Sequence, residues 1–330
     1  MKPLAVTMGE PAGVGGDIVL AAWLARGGEG LPPFFVIDDP DRLVRLAAHL
    51  GRDVPVRPIG ATAEAAAVFD TALPVLPVGG RIEASPGAPA AGDAPLVIGA
   101  IERAVALCRS GDAAAMVTNP INKSLLYRAG FDHPGHTEFI GHLCGGARSV
   151  MMLAGPSLRV VPATIHVALA EAVRSLRSEE LVAIGRVMLD ALRTDFGIAR
   201  PRLAVAGLNP HAGEDGALGR EDIEIIVPAV AELAAGGDEV LGPLPADTMF
   251  HAEARARYDA ALCMYHDQAL IPVKALDFDS AVNVTLGLPI VRTSPDHGTA
   301  FDIAGTGTAR PHSLIAAIRM AGEIADNRAR

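Results

Sequence analysis

Short apolar runs alternate with amphipathic helical patterns from one end of the chain to the other. This alternation is typical of βαβ units and predicts an α/β fold with a largely parallel sheet. The runs expected to form strands are Leu4–Met8, Phe34–Ile37, Ala114–Thr118, Arg159–Ile165, Leu203–Leu208, Ala261–Tyr265 and Ala281–Leu286. The segments with a helical period are Asp17–Arg26, Pro40–Leu50, Leu96–Cys108, Ser178–Phe196, Glu221–Ala235 and Ser313–Ala325. Residues 59–95, rich in Ala, Pro and Gly, are expected to hold short strands and a long excursion.

Length and composition narrow the class of protein. The length of 330 residues favours two domains that share a cleft, with a single large α/β domain as the alternative. The net charge of −10 argues against a nucleic-acid partner, because phosphate backbones are held by clustered cations. Charged residues interrupt the apolar stretches, which excludes a membrane-spanning helix. The three cysteines are too few for a disulfide framework and the N-terminal residues lack a signal-peptide apolar region, so we expect a cytoplasmic protein.

Polar, chemically capable residues follow five of the predicted strands. These clusters are Gly9–Gly16, Thr118–Lys123, His166, Asn209–His211 and His266–Gln268. In open parallel α/β sheets, ligands bind at the carboxyl ends of the strands. The five clusters therefore predict one convergent site.

Three of these clusters contain a histidine, and the histidines lie 45 and 55 residues apart. Each of His166, His211 and His266 alone is interpreted more simply as a hydrogen-bonded structural side chain. Together at one sheet edge, three imidazoles would form a metal site with open positions for substrate oxygens. Asp247 and Asp267 are candidate acid–base or supporting carboxylates, with a helix cap and a surface ion pair as the respective alternatives.

A second group of residues predicts an anion site. His136 and Thr137 follow a Pro-Gly pair, where a helix N-terminus would offer backbone N–H groups to a phosphate or carboxylate, with a plain capping motif as the alternative. Lys274, Asn283 and Arg292 recur at nine-residue intervals in apolar surroundings. The chain has only three lysines, Lys2, Lys123 and Lys274, and the two interior ones are candidates for a role that needs a compact ammonium group.

Two glycine-rich segments are candidates for a cofactor site. The segment Gly13–Gly16 approaches a dinucleotide fingerprint, but Ile18 occupies the place of the third glycine, which argues against a standard Rossmann fold. The segment Asp296–Gly307 is the better candidate, because its small residues would let a flat adenosine approach the backbone. A structural turn is the alternative for the second segment.

At these residues the sequence resembles the 4-hydroxythreonine-4-phosphate dehydrogenase family of pyridoxal 5'-phosphate biosynthesis. The matching blocks are TMGEPAGVG (7–15), TNPINK (118–123), HPGHTEF (133–139), VMMLAG (150–155), GLNPHAGE (207–214), GPLPADT (242–248), MYHDQ (264–268) and VNVTLGLPIVRTSPDHGTAFDIAG (282–305). The HGTAFDIAG block also resembles the adenosine-binding loop of isocitrate and isopropylmalate dehydrogenases. The resemblance implies their two-lobed α/β/α fold, with a cofactor-side lobe of residues 1–130 plus 275–330 and a metal and dimerisation lobe of residues 131–274.

The resemblance also assigns residues to roles. The implied ligands of a divalent metal, zinc first and magnesium, cobalt or manganese otherwise, are His166, His211 and His266. The implied substrate contacts are His136, Thr137, Lys274, Asn283 and Arg292. The candidate contacts of NAD or NADP are His297, Gly298, Thr299, Asp302 and Gly305, and the candidate acid–base groups are Asp247, Asp267 and Lys123.

The family implies a homodimer with the site at the subunit interface, where the partner supplies some ligands. Its reaction oxidises the C3 hydroxyl of a phosphorylated substrate, and the β-keto acid loses CO2 to leave 3-amino-2-oxopropyl phosphate. Departures from the family pattern are Asn119 and Asn122 in the TNPINK block and Arg310 after the cofactor loop. A related group of enzymes that act on D-threonate or D-erythronate 4-phosphate has a similar Pro-Ile-Asn-Lys sequence. That activity is the alternative function. Phosphate acyltransferases and non-catalytic binding proteins are the alternatives from other functional classes.

Overall fold

The computed structural model describes residues 2–133 and 135–330, which divide into two units. Unit 1 contains the chain up to Ser149 together with Leu288–Arg330, and unit 2 is Val150–Gly287. These boundaries lie further along the chain than the predicted 130/131 and 274/275. The physical reason is packing, because Phe139 and Ile140 are buried in the unit 1 core, while the strand 282–286 pairs with the strand 150–154 in unit 2.

Unit 1 is built on a sheet of parallel strands. The strands are β1 (Leu4–Thr7), β2 (Phe34–Asp38), β3 (Val56–Pro58), β4 (Leu73–Pro77), β5 (Met116–Thr118) and β12 (Arg292–Pro295), in the spatial order β3-β4-β2-β1-β5-β12. The helices are α1 (Gly15–Glu29), α2 (Pro40–His49), α3 (Ala65–Phe69), α4 (Ala94–Ser110), α5 (Lys123–Arg128), α6 (His136–Leu143) and α12 (His312–Arg328), with short 3₁₀ turns at Thr62–Glu64 and Ala91–Asp93. β1 and β2 are buried along their whole length, as expected for central strands of a parallel sheet.

Unit 2 has a mixed sheet in which only β6 runs antiparallel to its neighbours among the described strands. Its strands are β6 (Val150–Ala154), β7 (Arg159–Thr164), β8 (Arg202–Ala206), β9 (Glu239–Leu244), β10 (Ala260–Tyr265) and β11 (Val282–Leu286), in the order β11-β6-β7-β10-β8-β9. Its helices are α7 (Leu169–Ser175), α8 (Ser178–Thr194), α9 (Val227–Ala235), α10 (Ala252–Arg255) and α11 (His266–Asp277). A 3₁₀ segment covers Pro210–Gly216 and a π-helical turn covers Asp222–Ile226.

The predicted α/β class with mostly parallel pairing is confirmed. Seven predicted strands and six predicted helices are present, with ends that move by a few residues. The 59–95 segment contains β4, α3 and two 3₁₀ turns between longer connections. In the part of the chain that the structure describes, no helix is long and apolar enough to cross a membrane.

We expect Gly155→Ala to lower the free energy of unfolding by about 1–3 kcal/mol, the usual range for overpacking. An added Cβ would lie 2.7 Å from Cβ of Asp277. That carboxylate accepts hydrogen bonds of 2.9 Å from the backbone N–H and the hydroxyl of Ser157, so it is not free to move aside. Urea denaturation measures the change.

Gly99→Ala is the matched control. Gly99 lies inside α4, where no described atom comes within 4 Å of an added Cβ. Alanine is favoured over glycine in a helix by about 0.5–1 kcal/mol, so this variant should be more stable than the wild type. Equal effects of the two substitutions would contradict the packing described around Gly155.

Candidate active site

In unit 2, the three predicted metal-binding histidines follow three adjacent parallel strands. β10 lies between β7 and β8, and the register pairs Tyr265 with Thr164 at the carboxyl ends of β10 and β7. His166 comes two residues after β7, and His266 directly follows β10 as the first residue of α11. His211 lies in the 3₁₀ segment that follows β8. The topology therefore places all three histidines at one edge of the unit 2 sheet.

Two of these histidines face the same cavity. The ring centroids of His166 and His266 are 5.7 Å apart, with an angle of 40° between the ring planes. A cavity of about 280 Å³ is lined by both rings and by Thr164, Tyr265 and Asp267. His266 Nδ1 lies 2.7 Å from Oδ1 of Asp267. A carboxylate in this position orients an imidazole and leaves its Nε2 atom available as a ligand.

His211 is placed differently. Its side chain is 66% exposed, and its Nδ1 lies 3.6 Å from Oε2 of Glu214. Across residues 2–133 and 135–330, no three His, Cys, Asp or Glu side chains are grouped so that they could hold a metal ion. The predicted meeting of three imidazoles is therefore not found within one described chain. The backbone explains this, because His211 starts a segment with left-handed φ angles that leaves the side chain in solvent.

The structure nevertheless offers a partial donor set for a divalent metal. His166 and His266 line one cavity, and imidazole suits zinc and related transition metals. Catalytic metal sites keep positions that the protein does not fill. Two histidines that line one cavity, one of them oriented by a carboxylate, therefore fit part of the ligand set of such an ion.

The remaining predicted residues of unit 2 lie on three elements. Asp247 is exposed in a turn after β9, while Asp267 lies in the first turn of α11 beside His266. Lys274 is half-buried in the last turn of α11, and Asn283 is half-buried on β11. The Oδ1 atom of Asn283 is buried without a hydrogen-bond partner among the described residues. An unsatisfied buried amide oxygen is available to a ligand donor.

In unit 1, the glycine-rich loop, the TNPINK block and the HGTAFDIAG block also follow adjacent strands. β1, β5 and β12 are neighbours in the sheet and run parallel. The first loop contacts the second, since the backbone N–H of Glu10 donates to the carbonyl of Pro120 at 2.8 Å. The candidate anion-binding and cofactor-binding residues of unit 1 therefore lie at one edge of its sheet.

Arg292 is a buried cation at this edge. Its side chain donates from Nε at 3.1 Å and from Nη2 at 2.7 Å to the hydroxyl of Thr118. Burial lowers the pKa of the guanidinium to about 10, and the carboxylate of Glu138 acts in the opposite direction. A guanidinium fixed in this way binds carboxylates and phosphates well, so Arg292 is a candidate contact of an anionic substrate group.

His136 begins α6, as the predicted helix start requires, and it belongs to the same cluster as Arg292. Burial, together with the positive charges of Arg292 and Lys123, lowers the pKa of His136 well below its usual value. Its Nε2 atom is buried with no hydrogen-bond partner in the described part of the chain. Lys123 is exposed at the start of α5, and its Nζ is 3.4 Å from where a Cβ on Gly135 would lie. Thr137 is half-buried beside His136, while Pro134 of the same motif lies outside the described residues.

The low pKa of His136 predicts a pH effect on stability. In the unfolded chain a histidine binds a proton near pH 6.5, whereas His136 in the folded chain does not, so acid favours unfolding. Between pH 7.5 and 5.5 we expect the wild type to lose about 1 kcal/mol more unfolding free energy than His136→Gln. Urea titrations at the two pH values measure the difference, and identical losses would contradict the buried, neutral state of His136.

The cofactor candidates lie in the loop that follows β12. Its backbone contacts the glycine-rich loop, because Val14 N–H donates to the carbonyl of Thr299 at 2.9 Å. Gly305 N–H donates to Oδ1 of Asp17 at 2.9 Å, while the buried Oδ2 of Asp17 has no partner among the described atoms. Asp17 also lines a cavity of about 230 Å³ together with Gly13 and other residues of unit 1. A buried acceptor beside a cavity fits a hydrogen-bond donor of a bound nucleotide.

The other predicted cofactor residues, His297, Gly298 and Asp302, are exposed in the same loop. No described atom lies within 4 Å of an added Cβ at Gly298, so the backbone there is open to a ligand. Arg310 is also exposed at the end of this loop.

Comparison with known proteins decides the family. The model of the family described as pyridoxal phosphate biosynthetic protein PdxA matches residues 31–321. The chain belongs to the PdxA family.

Individual members of the PdxA family match over nearly the whole chain. The 4-hydroxythreonine-4-phosphate dehydrogenase of Bradyrhizobium diazoefficiens is 55% identical, covering 98% of this chain and 97% of the relative. The enzyme of the same name from Caulobacter vibrioides is 56% identical, covering 99% and 98%. The crystal structure of the Klebsiella pneumoniae enzyme of that name is 40% identical and has a TM-score of 0.88, covering 98% of this chain and 100% of that one. The resemblance seen in the sequence motifs is thereby confirmed.

Three PdxA-family residues with clear structural roles at the site were not assigned from the sequence. Thr118 is the hydrogen-bond partner of Arg292, although it is part of the TNPINK block. Gln268 and Asp222 are buried polar residues whose side chains bond to the backbone near His266 and His211. Thr118 and Gln268 lie in two of the polar clusters predicted after strands, and Asp222 lies in a predicted helix. No local pattern indicated their partners, because the contacts with Arg292, Gly207 and Leu208 join different elements of the fold.

Proposed function

We propose that this chain catalyses the NAD- or NADP-dependent oxidation of 4-hydroxythreonine 4-phosphate at C3, followed by decarboxylation to 3-amino-2-oxopropyl phosphate. The observation that carries the proposal is the placement of His166, His266 and His211 after the adjacent strands β7, β10 and β8, in a member of the PdxA family. The names of relatives above 50% identity support the substrate. The reaction belongs to pyridoxal phosphate biosynthesis, as the family description indicates.

The buried cluster of unit 1 is suited to the anionic end of this substrate. The Arg292 guanidinium is buried and held in place by its hydrogen bonds to Thr118, and the N-terminus of α6 offers the backbone N–H groups of its first turn. Neutral His136 adds one more hydrogen-bonding atom without adding a charge. Thr137 would add a hydroxyl in the same turn. These groups would hold the phosphate or carboxylate and fix the direction of the C3 hydrogen.

In unit 2, His166 and His266 would hold the divalent metal, with His211 as the third ligand. A bound divalent ion, with zinc favoured and magnesium, cobalt or manganese as alternatives, supplies Lewis acidity that lowers the pKa of a substrate hydroxyl. Asp267 keeps the His266 ring oriented through the 2.7 Å contact at Nδ1. Lys274 and Asn283 would contact the substrate from α11 and β11, the latter with its unsatisfied Oδ1.

Acid–base chemistry then has three candidates. Asp267 lines the histidine cavity, whereas Asp247 is exposed in the turn after β9. Lys123 is an exposed ammonium beside the α6 N-terminus and could protonate the carbon left by decarboxylation. The cofactor, held by the loop with His297, Gly298, Thr299, Asp302 and Gly305, supplies the hydride acceptor.

We further propose a homodimer in which unit 2 forms the interface. Eight of the twelve large apolar side chains that are exposed among the described residues belong to this unit. They are Val167, Leu169, Leu218, Ile223, Val227, Ile271, Leu276 and Phe278. Exposed apolar side chains in such numbers favour coverage by another protein surface. Sedimentation velocity of the wild type and of Phe278→Glu, which changes a side chain that is 72% exposed, tests this assignment.

A substrate panel tests the proposed function. We would compare 4-hydroxythreonine 4-phosphate with D-threonate and D-erythronate 4-phosphates, each with NAD or NADP and with added zinc, magnesium, manganese or cobalt. The proposal expects kcat/KM for 4-hydroxythreonine 4-phosphate to exceed the others by at least about tenfold, or about 1.4 kcal/mol in the transition state. A preference for a sugar-acid phosphate would assign the chain to the sister activity instead.

A further inference from the structure

The segment that carries His211 is held by one buried carboxylate, Asp222. Its side chain is fully buried and accepts hydrogen bonds from the backbone N–H of Leu208 at 2.8 Å and of Asn209 at 3.1 Å. It also accepts a bond of 2.9 Å from Nδ2 of Asn209. All three donors belong to the two residues just before the 3₁₀ segment Pro210–Gly216. The carboxylate therefore fixes the start of the turn in which His211 lies.

The surrounding backbone leaves little room for any other arrangement. A Cβ added to Gly207 would lie 2.9 Å from Oδ1 of Asp222, and one added to Gly213 would lie 3.2 Å from Oδ2. The chain thus wraps closely around the carboxylate on both sides of His211. Nδ2 of Asn209 also donates to Oε2 of Glu221 at 2.8 Å, which adds a second link to the turn that contains Asp222.

A second buried side chain joins this segment to the His266 strand. Gln268 donates from Nε2 to the carbonyl of Gly207 and accepts at Oε1 from the backbone N–H of Met264, both at 2.7 Å. The ends of β8 and β10 are therefore tied together. The position of the third imidazole therefore depends on the path of the chain from Gly207 to His211.

That path is strained. His211, Ala212, Glu214 and Asp215 have φ angles between 42° and 53°, in the left-handed region that non-glycine residues adopt rarely. Such conformations are unfavourable for residues with a side chain and persist only where neighbouring structure imposes them. Charge-assisted hydrogen bonds to an ionised carboxylate are strong enough to contribute to that constraint.

We infer that Asp222 is a positioning residue for metal binding, which sets the backbone from which His211 is presented as the third ligand. The inference rests on the proposed metal site and adds to it a residue that touches neither metal nor substrate. Asp222→Asn is the informative change, because the amide keeps the size but turns an N–H₂ group toward N–H donors. The neighbouring π-helical turn, a distortion often found at functional sites, starts at Asp222.

The test is a cobalt titration of the metal-stripped, full-length protein, followed by the visible spectrum of bound Co²⁺. Asp222→Asn should bind Co²⁺ about 10–100-fold more weakly, the usual effect of removing support from a metal ligand, with a spectrum like that of His211→Ala. In the His211→Ala background, Asp222→Asn should change the affinity less than about twofold, because the two changes act through one imidazole. Asp195→Asn, a buried aspartate at the end of α8 in the same unit, is the control and should bind like the wild type.

The outcomes separate the inference from the proposed site. If His211→Ala weakens Co²⁺ binding but Asp222→Asn does not, the positioning role is wrong and the metal site stands. An equal loss from Asp222→Asn with and without His211 would mean a general structural effect, which also overturns the role. If His211→Ala binds Co²⁺ as the wild type does, the proposed ligand set fails and the inference with it. Should Asp222→Asn not fold, Asn209→Ala removes one of the three bonds and should give a smaller loss that likewise disappears in the His211→Ala background.

Discussion

His266→Ala should lower kcat/KM for 4-hydroxythreonine 4-phosphate by about 10³-fold or more. The substitution removes one of two imidazoles that line a cavity, and with it the Lewis acidity that the proposed metal would supply to the substrate hydroxyl. That contribution is several kcal/mol, and about 4 kcal/mol corresponds to a factor of 10³. Initial rates of NADH formation measure the loss, and the metal content of the purified variant should fall in parallel.

His251→Ala is the matched control for this experiment. His251 belongs to the same unit but lines a different cavity, with Leu241, Thr248 and Tyr258. Its removal should leave kcat/KM within about twofold of the wild type, as expected for a surface substitution away from the chemistry. Wild-type turnover by His266→Ala after rigorous removal of metal would overturn the metal role.

Arg292→Ala should lower kcat/KM by about 10²-fold or more. Removing one side of a buried, hydrogen-bonded charge pair costs about 2–5 kcal/mol, and the pair at issue is the proposed one between Arg292 and the anionic end of the substrate. Arg292→Lys should recover only part of the loss. A planar guanidinium can donate to Thr118 and to the substrate at the same time, whereas an ammonium group lacks this geometry. Inorganic phosphate should also inhibit both variants less than the wild type.

A second measurement distinguishes this role from structural damage. Arg292 is one cause of the low pKa of His136, so its removal should raise that pKa, which NMR of the labelled ring can follow. Arg319→Ala is the control, since Arg319 is an exposed arginine of the same unit that bonds to Glu29. If Arg292→Ala and Arg319→Ala had the same kinetics, Arg292 would have no part in substrate binding.

The sequence predicted the fold class well because buried parallel strands are continuous apolar runs. β1, β2 and β10 are nearly or wholly buried, and proline, glycine or polar residues at or near their ends mark where they start and stop. Of the strands that were missed, β9 and β12 lack this pattern, whereas β6 is an apolar run, VMMLA, with four of its five residues buried. β9 has no fully buried residue, and β12 is the polar tetrapeptide Arg292–Pro295, whose burial comes from its neighbours.

α11 was missed for a different reason. It begins at His266, directly after β10, so no loop in the sequence separates the strand from the helix. It also contains Pro272 in its interior, which is unusual in a helix and obscures the helical period. The consequence for the site is direct. Lys274, which the sequence indicated as a candidate substrate contact without connecting it to the histidines, lies on the same helix as His266 and Asp267.

The residue types of the site were predictable, but their exact grouping was not. Strand ends in a parallel sheet meet at one edge, and this placed the three histidines after neighbouring strands. The backbone path after a strand depends instead on long-range contacts such as Asp222 with Leu208 and Gln268 with Gly207. Because of those contacts, His211 is exposed while His266 lines the cavity. No local sequence pattern predicts them.

The central claim is oxidation at C3 coupled to loss of the carboxyl group. The most direct test incubates the metal-loaded protein with NAD and 4-hydroxythreonine 4-phosphate labelled with ¹³C at the carboxyl carbon, following NADH by absorbance and ¹³C by NMR. We expect one labelled CO2 or bicarbonate for each NADH formed. NADH without labelled CO2 would show a simple alcohol dehydrogenase, and neither product would contradict the proposed function altogether.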